Sequence, residues 1–449
     1  MIIQAALIIA DSEGTLFTPG RLRFSPSSDQ DEPGVILEIG SAEQISLRPE
    51  ESFLDLGEKW LLPGLVQAHV HLNQTLFRGL AENLELLEWL EKRIWPLEAE
   101  HDEATIYAAS KYAIAEMLLA GCTSLLTMET TQFTSGAFKA AEELGVRAVI
   151  GASLMDRNAQ HIPPKLIRNG DEALAEISEL NATWRKRTNG RLQSCVAPRF
   201  VLSCTEKLLL QSKEYAKNNR LIWHSHVSEH KHECQRVFKQ TGKNNGEYYA
   251  SLGLLDASSS LAHGVWLTPS EMESFGAVKT SILHCPSTNL KLGSGVADVF
   301  QMVKFGINIA LGSDGAPGNN RLDIWEEMRL SGLLASWRNG PKQVSPQEIF
   351  RWATIGGAFA AGLGQLIGRL EVGRKADMIA LNPYHFHGGL KDASAIYSYF
   401  VYGATANEVK DVWVDGNQLV SAGHLLSGDL EEIRREFNSC RKTLLKRSR

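Results

Sequence analysis

The pair His69-Val70-His71 is the first part of this sequence whose residue types and spacing could do chemistry. It ends an apolar run over 61–68 that predicts a β-strand, and alternate side chains on a strand point to the same side. Two imidazoles on one side can bind one metal ion. Histidines also serve as packing or capping groups, so the pair alone leaves both interpretations open.

Further candidate ligands stand at the ends of other predicted strands. They are His226 after 221–225, His263 after 260–262 and Asp314 after 307–313. Four of the 13 histidines therefore fall at strand ends, and packing would need a separate explanation for each of them. Neutral imidazoles with one carboxylate suit Zn²⁺ or Fe²⁺ and leave a position open for water. The pattern predicts a metal site.

The predicted site holds one divalent ion, with Zn²⁺ preferred over Fe²⁺. The fourth predicted strand, Cys195–Phe200, contains no lysine that could be carbamylated to bridge two ions. The sequence assigns no role to His224 or His284, and it favours a surface or supporting role for His230 and His232.

The elements that must position these residues alternate along the chain from Leu61 to Gly364. Short apolar runs are separated by helical patterns such as the one from Thr105 to Ala120. The eight runs are Leu61–His71, Thr123–Glu129, Ala148–Asp156, Cys195–Phe200, Leu221–Val227, Ser260–Val265, Ser281–Cys285 and Ile307–Asp314. Repeated βα units of this number predict an α/β fold, a (β/α)₈ barrel of the TIM type over residues 61–364, whose catalytic groups lie at the carboxyl ends of the strands.

The two ends of the chain lack this alternation of apolar runs and helical patterns. Residues 1–60 and 365–449 contain short apolar runs broken by turn-forming residues, for example at Asp377–Leu381 and Lys410–Gly416. A charged helix is predicted over Leu430–Lys446. We expect the two ends to pair into one small composite β-sandwich beside the barrel.

Composition narrows the classes of protein and partner. With 449 residues, 43% hydrophobic and 22% charged, the chain is neither collagen-like nor disordered. Its net charge of −6 argues against nucleic acid as a partner. The six cysteines form no C-x-x-C pair, and no apolar run is long enough to cross a membrane. We therefore expect a cytoplasmic protein with reduced thiols and no membrane partner.

Longer motifs around these residues resemble those of the amidohydrolase superfamily. The matching motifs are Leu62-Pro-Gly-Leu-Val-Gln-Ala-His69-Val-His71, His226-Val-Ser-Glu229, Leu261-Ala-His263, His284-Cys-Pro-Ser-Thr-Asn289 and Gly312-Ser-Asp314-Gly-Ala-Pro-Gly. Within the superfamily they are similar to the branch of triazine hydrolases and aminopurine deaminases, over about Leu61 to Asp377. The resemblance also implies that the protein forms a homo-oligomer.

The resemblance implies a role for each residue. The implied metal ligands are His69, His71, His226 and Asp314, and the implied catalytic groups are Glu229, His263 and Asp314. A bound divalent ion lowers the pKa of its water from near 16 towards about 7, and Asp314 can accept the water proton. Glu229 can protonate a ring nitrogen and make the adjacent carbon electrophilic, while His263 orients the attacking oxygen.

The resemblance also implies substrate contacts. The segment from Trp89 to Glu98 is similar to one in enzymes that deaminate 5′-methylthioadenosine and S-adenosylhomocysteine, where the Trp contacts the ligand and the Glu contacts the ribose hydroxyls. Most apolar residues of such a helix are packing groups. Gln74 and Arg199 resemble residues that hold the base in guanine deaminases. The segment around Arg199 is also similar to that of some proteins described as 5′-deoxyadenosine deaminases.

The sequence therefore predicts a metal-dependent deaminase of an aminopurine nucleoside, of the 5′-deoxyadenosine, 5′-methylthioadenosine or S-adenosylhomocysteine class. The alternative substrates are guanine, another free aminopurine or a chlorotriazine. A non-catalytic scaffold is disfavoured because all four implied ligands are present. A nucleic-acid deaminase is disfavoured because its His-x-Glu…Pro-Cys-x-x-Cys signature is absent.

Overall fold

The computed structural model describes residues 1–25, 34–158, 161–389 and 391–448. The strands in this part of the chain are β1 Ile2–Ala5, β2 Leu7–Ile9, β3 Leu16–Phe17, β4 Gly20–Phe24, β5 Ile36–Ser41, β6 Phe53–Asp55, β7 Trp60–Pro63, β8 Leu65–Val70, β9 Cys122–Glu129, β10 Arg147–Leu154, β11 Leu192–Ser194, β12 Ala197–Pro198, β13 Trp223–Val227, β14 Ser259–His263, β15 Ser281–His284, β16 Asn308–Leu311, β17 Met378–Leu381, β18 Val409–Val414, β19 Asn417–Ser421 and β20 His424–Leu425.

Helices follow most of the strands from β8 onwards. The α-helices are α1 Leu86–Trp89, α2 Trp95–Glu98, α3 Glu103–Leu119, α4 Ser135–Leu144, α5 Gly170–Arg187, α6 Glu206–Asn219, α7 Lys231–Thr241, α8 Asn245–Ser251, α9 Pro269–Ala277, α10 Pro286–Lys291, α11 Val299–Lys304, α12 Ala316–Asn319, α13 Ile324–Asn339, α14 Pro346–Arg351, α15 Gly357–Ala360, α16 Ala393–Tyr402 and α17 Leu430–Arg447. Two π-helical turns lie at Leu90–Ile94 and Trp352–Gly356. No helix in the described ranges is long and apolar enough to cross a membrane.

The central strands form two parallel sets, β8 to β12 and β13 to β16. Every residue of β9 and β10 is buried, which is typical of parallel strands covered on both faces. All eight runs predicted from the sequence contain strand residues, although the fourth run, Cys195–Phe200, contributes only β12 and is followed by a short 3₁₀ turn at Val201–Ser203.

The two parallel sets meet at both of their edges. On one side Val196 and Trp223 form a parallel bridge. On the other, Gln67 of β8 exchanges two hydrogen bonds of 2.7 Å with Ser313, which follows β16. Gly312 lies so close to His69 that a Cβ there would be 2.7 Å from the His69 Cβ, so only glycine fits. These contacts bring the ends of the first and last central strands together.

The first predicted strand, Leu61–His71, is two strands in the structure. Trp60–Pro63 pairs antiparallel with β17, whereas Leu65–Val70 pairs parallel with β9. The break falls at Gly64, where a Cβ would lie 2.0 Å from the hydroxyl of Thr123. The apolar run is unbroken in sequence, so only the Pro63-Gly64 pair signals the change of sheet.

Two further sheets come from the ends of the chain. One has the order β5-β4-β1-β6, and the other has the order β20-β19-β18-β17-β7-β2-β3. A single buried cluster joins them, with Ile3, Leu22 and Phe24 from the first sheet against Ile8 and Met378 from the second. Strands from both ends of the chain therefore share one apolar core.

The predicted helix at Leu430–Lys446 is observed as α17. It packs on α3, where the rings of Tyr112 and Phe437 stack with centroids 4.3 Å apart. Arg441 donates a hydrogen bond of 3.0 Å to the main-chain oxygen of Arg78. The C-terminal helix thus covers the helices around the central strands.

A buried ion triad connects the central strands to the terminal sheets. Arg147, at the start of β10, donates two hydrogen bonds of 2.7 and 2.9 Å to Asp377 and one of 2.6 Å to Asp415. The side chains of Arg147 and Asp377 are 2% and 1% exposed. Water contributes little to solvating these charges, so each depends on its partners.

We expect Arg147→Ala to lower the free energy of unfolding by about 3–5 kcal/mol, because it leaves two buried carboxylates without a cation. Urea unfolding followed by circular dichroism measures the change. The control is Arg187→Ala, since Arg187 pairs with Glu142 at the surface, and there we expect at most about 0.5 kcal/mol. Equal losses in the two variants would show that the triad does not support the fold.

Candidate metal and active site

Four buried imidazoles meet at the carboxyl ends of β8, β13 and β14. The ring of His69 lies 4.9 Å from the rings of His71 and His226 and 5.7 Å from that of His263, between centroids. His69 and His263 are fully buried, and His71 is 3% exposed. The β-strand alternation that places His69 and His71 on one side of the chain produces this convergence.

Asp314 joins the imidazoles from the loop after β16. Its Oδ1 lies 3.2 Å from Nε2 of His71 and 3.5 Å from Nε2 of His69. Its main-chain N–H donates a 3.0 Å hydrogen bond to the main-chain oxygen of His69. The meeting of the first and last central strands therefore carries the carboxylate to the imidazoles.

Hydrogen bonds on the outer side fix the orientation of two of the rings. Nδ1 of His71 bonds the main-chain oxygen of Met128, and Nδ1 of His226 lies 2.7 Å from the main-chain oxygen of Arg199. A carbonyl oxygen only accepts, so both rings carry hydrogen on Nδ1 and turn Nε2 inwards. The first of these carbonyls ends β9 and the second follows β12.

The Nδ1 atom of His69 has a histidine as its partner. It lies 2.9 Å from Nε2 of His224, a residue to which the sequence assigned no role. Nε2 of His69 is buried and has no hydrogen-bond partner among the described residues. Burial lowers the pKa of His69 to about 4, against the opposing effect of Asp314, so the ring is neutral, which is the form that binds metals.

The buried groups form overlapping sets with the spacing of metal ligands. His69, His71 and Asp314 offer atoms within 4.8 Å of one another, and so do His69, His226 and His263. Both sets share His69, whose unpartnered Nε2 faces them. The donor set of imidazoles and one carboxylate fits Zn²⁺ and Fe²⁺. The cluster could therefore hold a metal ion.

Glu229 and His263 lie beside this cluster. Oε2 of Glu229 is 3.4 Å from Nε2 of His263, whose Nδ1 lies 2.9 Å from Oδ1 of Asn289. Glu229, His263 and Asp314 also offer atoms within 4.8 Å of one another. Both residues implied as catalytic therefore face the same small volume as Asp314.

The two carboxyl groups at the site have opposite proton affinities. Burial, the nearby Asp314 and Glu233 raise the pKa of Glu229 well above its usual value. Burial acts in the same direction on Asp314, but its contacts with Nε2 of His69 and of His71 outweigh it and hold the pKa of Asp314 well below its usual value. Near neutral pH one group is a proton donor and the other a proton acceptor.

Three residues at these strand ends adopt left-handed backbone conformations. The φ angles are 48° at Ser228, 76° at His263 and 61° at Asp314. Such angles cost non-glycine residues about 1–3 kcal/mol and concentrate at functional sites. The strain is held by the surrounding packing, and it directs the side chains of His263 and Asp314 to the cluster.

A small cavity lies over the cluster. It has a volume of about 30 Å³, enough for one or two water molecules, whereas small-molecule sites usually measure about 300–1,000 Å³. Its lining is His71, Leu86, Trp89, Leu90, Arg199, Phe200, His226, Glu229, Glu233, His263 and Asp314. A larger groove of about 620 Å³ beside Trp325 contains none of these groups. The buried cavity is the candidate site because it holds the perturbed acids and imidazoles.

The cavity is closed by residues 86–98, which we call the cover segment. It consists of α1, the π-helical turn and α2. Pro96 accounts for the turn, because it has no N–H for a helical hydrogen bond to the residue four positions earlier. Leu86, Trp89 and Leu90 of this segment lie against the cavity. A ligand larger than a few water molecules does not fit the cavity as it stands, so such a ligand requires its lining to move.

Of the four residues predicted to contact substrate, two line the cavity and two lie behind its lining. Trp89 and Arg199 line the cavity, whereas Gln74 and Glu98 do not. Glu98 accepts hydrogen bonds of 2.6 and 3.3 Å from Arg199 and one of 2.9 Å from Gln74. Burial raises the pKa of Glu98 but Arg199 and Gln74 outweigh it, so the carboxylate is ionised. The structure thus brings Gln74, Glu98 and Arg199 together in one buried network.

His230 and His232 lie outside the cavity. His230 and His232 form a cluster with Glu85, and Nδ1 of His232 is 2.8 Å from Glu85 Oε2. This cluster is half exposed at the positive N-terminal end of α7, and His230 Nδ1 accepts the main-chain N–H of His232, so it is a poor cation site. His284 is buried behind the site, and burial lowers its pKa to about 3.

Four residues that support the site received no role from the sequence. Glu129 accepts main-chain hydrogen bonds of 3.2 and 2.9 Å from Leu72 and Asn73, directly after His71, and burial raises its pKa to about 7. The others are His224, Asn289 and Glu233. Glu129 ends a predicted strand as the ligands do, and this position was the available signal.

Comparison with known proteins identifies a family and relatives that match most of the chain. The sequence model of the amidohydrolase family matches residues 60–419. A 5′-deoxyadenosine deaminase of Methanosphaera stadtmanae is 35% identical over 392 residues, 86% of this chain and 88% of the relative. A 5-methylthioadenosine/S-adenosylhomocysteine deaminase of Shouchella clausii is 36% identical over 383 residues, 85% of this chain and 86% of the relative.

A solved structure covers nearly the whole molecule. An adenosine deaminase from Xanthomonas campestris with bound zinc superposes with a TM-score of 0.87 at 26% identity, over 99% of this chain and 98% of that chain. The likeness confirms the predicted α/β fold of the TIM-barrel type for this chain.

Two ion pairs tie the cover segment to α7, and we expect them to hold it closed. Glu91 accepts a 2.9 Å hydrogen bond from Arg236, and Glu85, directly before the segment, pairs with His232. Each exposed pair contributes about 0.2–1 kcal/mol. The double variant Glu91→Gln/His232→Gln should therefore speed hydrogen exchange over residues 86–98 about 2–30-fold, measured by mass spectrometry.

The matched control for this experiment is Glu88→Gln. Glu88 pairs with Lys92 inside the cover segment and makes no link to α7, so its loss should leave the exchange of residues 86–98 unchanged. If the double variant exchanges no faster than this control, the two pairs do not keep the segment closed.

Proposed function

The chain belongs to the amidohydrolase family, and from this premise we propose that it is a metal-dependent hydrolytic deaminase of an aminopurine nucleoside. Water replaces the amino group on a ring carbon and ammonia leaves. The observation that carries the proposal is the convergence of Glu229, His263 and Asp314, whose side-chain atoms lie within 4.8 Å of one another, on the cavity beside the imidazole cluster. The two relatives compared above bear the names of deaminases of such nucleosides.

We assign one divalent ion to this site, with zinc preferred over iron. The residues that would hold it are His69, His71, His226 and Asp314. The buried, unpartnered Nε2 of His69 fits this assignment, because a ligand atom directed at a metal needs no hydrogen bond. When bound, the ion lowers the pKa of water from near 16 towards about 7 and so supplies a nucleophile at neutral pH.

The remaining chemistry belongs to the side chains. Asp314 accepts the proton of the attacking water, since its carboxylate is ionised and faces the imidazoles. Glu229 donates a proton to a ring nitrogen, which draws electrons from the amino-bearing carbon. His263, with its Nδ1 bonded to Asn289, leaves Nε2 free to accept a hydrogen bond from the water and orient it.

Trp89, Arg199 and Glu98 are assigned to the nucleoside. Trp89 and Arg199 line the cavity, so they can contact the ligand when the cover segment opens and closes. Glu98 already accepts three hydrogen bonds, from Arg199 and Gln74, and a carboxylate can accept about four. One position remains for a ribose hydroxyl, while Gln74 acts through Glu98. The substrate class assigned is 5′-deoxyadenosine, 5′-methylthioadenosine or S-adenosylhomocysteine.

The same proposal includes the finer architecture. The contacts at both edges of the parallel sets support one closed eight-stranded barrel over residues 61–364. The shared apolar cluster supports a composite sandwich built from residues 1–60 and 365–449, to which Leu61–Pro63 adds. A homo-oligomer, a cytoplasmic location and the exclusion of nucleic acid stay predictions from the sequence.

The metal assignment predicts the ion content of the purified protein. His226→Ala should lower it from about one ion per chain to well below half, because the site would lose one of its four proposed protein ligands. Inductively coupled plasma mass spectrometry measures zinc and iron in the same sample. The control is His232→Ala, which should keep the full content since His232 lies in the outer cluster. Unchanged content in His226→Ala would contradict the ligand set.

The substrate proposal predicts ammonia release from adenine nucleosides. The metal-loaded protein should act on 5′-deoxyadenosine, 5′-methylthioadenosine or S-adenosylhomocysteine, and Glu229→Gln should lower kcat at least about 100-fold because it removes the proton donor. An enzyme-coupled ammonia assay measures both. Guanine, adenine and a chlorotriazine are the comparison arms. Turnover of these compounds without any turnover of a nucleoside would replace the proposal by the alternative.

Glu98→Gln tests the ribose assignment in the same assay. Glutamine keeps one acceptor oxygen for Arg199 and Gln74, whereas alanine would leave the buried Arg199 without any acceptor from this residue. We expect the KM for nucleosides to rise by about 10-fold or more, and turnover of any free base to change much less. An equal loss for both kinds of substrate would show that Glu98 does not bind ribose.

A further inference from the structure

Glu233 is a buried carboxylate of the cavity that the proposed reaction does not use. It lies in the first turn of α7, four residues after Glu229, and is 1% exposed. It lines the cavity together with Glu229. A second buried acid beside a proton donor requires a physical reason, because burying a carboxyl group is costly unless its hydrogen bonds are made.

The hydrogen bonds of Glu233 are made with the main chain that carries Glu229. Its Oε2 accepts the N–H of Glu229 at 2.9 Å and the N–H of His230 at 3.3 Å. Its Oε1 accepts from the side chain of Asn245, the first residue of α8. The carboxylate thus joins the loop after β13, the start of α7 and the start of α8.

The loop held in this way contains a residue in a strained backbone conformation. Ser228, directly before Glu229, has a φ of 48°, a conformation that costs a non-glycine residue about 1–2 kcal/mol. Its main-chain oxygen accepts the N–H of Trp266 at 2.9 Å. Without Glu233, the buried N–H of Glu229 would have no acceptor, and relaxation of the loop would relieve both costs.

We propose that Glu233 is a positioning residue that fixes the main chain of Glu229, so that the Glu229 carboxyl stays 3.4 Å from Nε2 of His263 and faces the reacting ring. This inference rests on the proposed function, and it adds a residue that acts through Glu229 without touching the substrate. A displacement of about 1 Å at a proton donor can cost about 100-fold in rate.

Three substitutions of Glu233 separate hydrogen bonding from charge and from bulk. Glu233→Ala removes the acceptor, and Glu233→Asp keeps the charge but shortens the reach. Glu233→Gln keeps an acceptor oxygen, and its N–H₂ can donate to Oδ1 of Asn245, which has no partner among the described residues. We expect kcat to fall at least about 10-fold in the first two variants, with KM within about 3-fold, and to stay within about 3-fold of the wild type in Glu233→Gln.

Glu271→Ala is the matched control. Glu271 is also 1% exposed, also lies in the first turn of its helix, and also accepts main-chain hydrogen bonds, of 2.8 and 3.2 Å from Gly246 and Glu247. It stabilises the start of α8 but makes no bond to Glu229. The thermal midpoint should fall in both alanine variants, whereas kcat should fall in Glu233→Ala and stay within about 2-fold of the wild type in Glu271→Ala.

Hydrogen exchange tests the inference without any substrate. Exchange over residues 228–230 should rise in Glu233→Ala and stay unchanged in Glu233→Gln and Glu271→Ala. Unchanged exchange in Glu233→Ala overturns the inference, as does wild-type kcat in that variant or a kcat in Glu233→Gln as low as in alanine. A wild-type protein that releases no ammonia from any nucleoside would instead overturn the proposed function and leave the exchange result to decide on Glu233.

Discussion

The contact between the first and last central strands is the constraint on which the site depends. Gln67 and Ser313 exchange two hydrogen bonds, and the absence of a side chain at Gly312 lets the chain pass against His69. Only then can Asp314, with its left-handed backbone, bring its carboxylate to the imidazoles. The fold thus gathers ligands that lie about 245 residues apart in sequence without any local motif that could hold them together.

The surroundings of the two acids follow from this contact. Asp314 lies against the rings of His69 and His71, and these contacts keep its pKa low although it is buried. Glu229 lies near two other carboxyl groups, those of Asp314 and Glu233, and no cation contacts it among the described residues. Burial and repulsion therefore raise its pKa. One fold therefore supplies a base and an acid from the same type of functional group, by solvating them differently.

The sequence predicted the features that recur with a period and could not predict those that arise from single distant contacts. Each central strand is a short buried run, and strand ends converge in a parallel fold, so the imidazole cluster followed from position alone. The network of Glu98 with Arg199 has no such signal, because its members belong to a helix and a loop 101 residues apart. The change of sheet at Gly64 was hidden for a related reason: burial on both sides kept the run apolar.

The closed cover segment links access to chemistry. Burial is the largest cause of the raised pKa of Glu229, and Trp89, Leu86 and Leu90 provide part of that burial. Under the proposed function the segment would have to open to admit a ligand, and contact with water would then move the pKa of Glu229 towards its ordinary value. Closure over the bound ligand restores the dry surroundings and with them the proton donor. Under the proposed function, the enzyme is therefore competent to protonate a ring only after it has enclosed one.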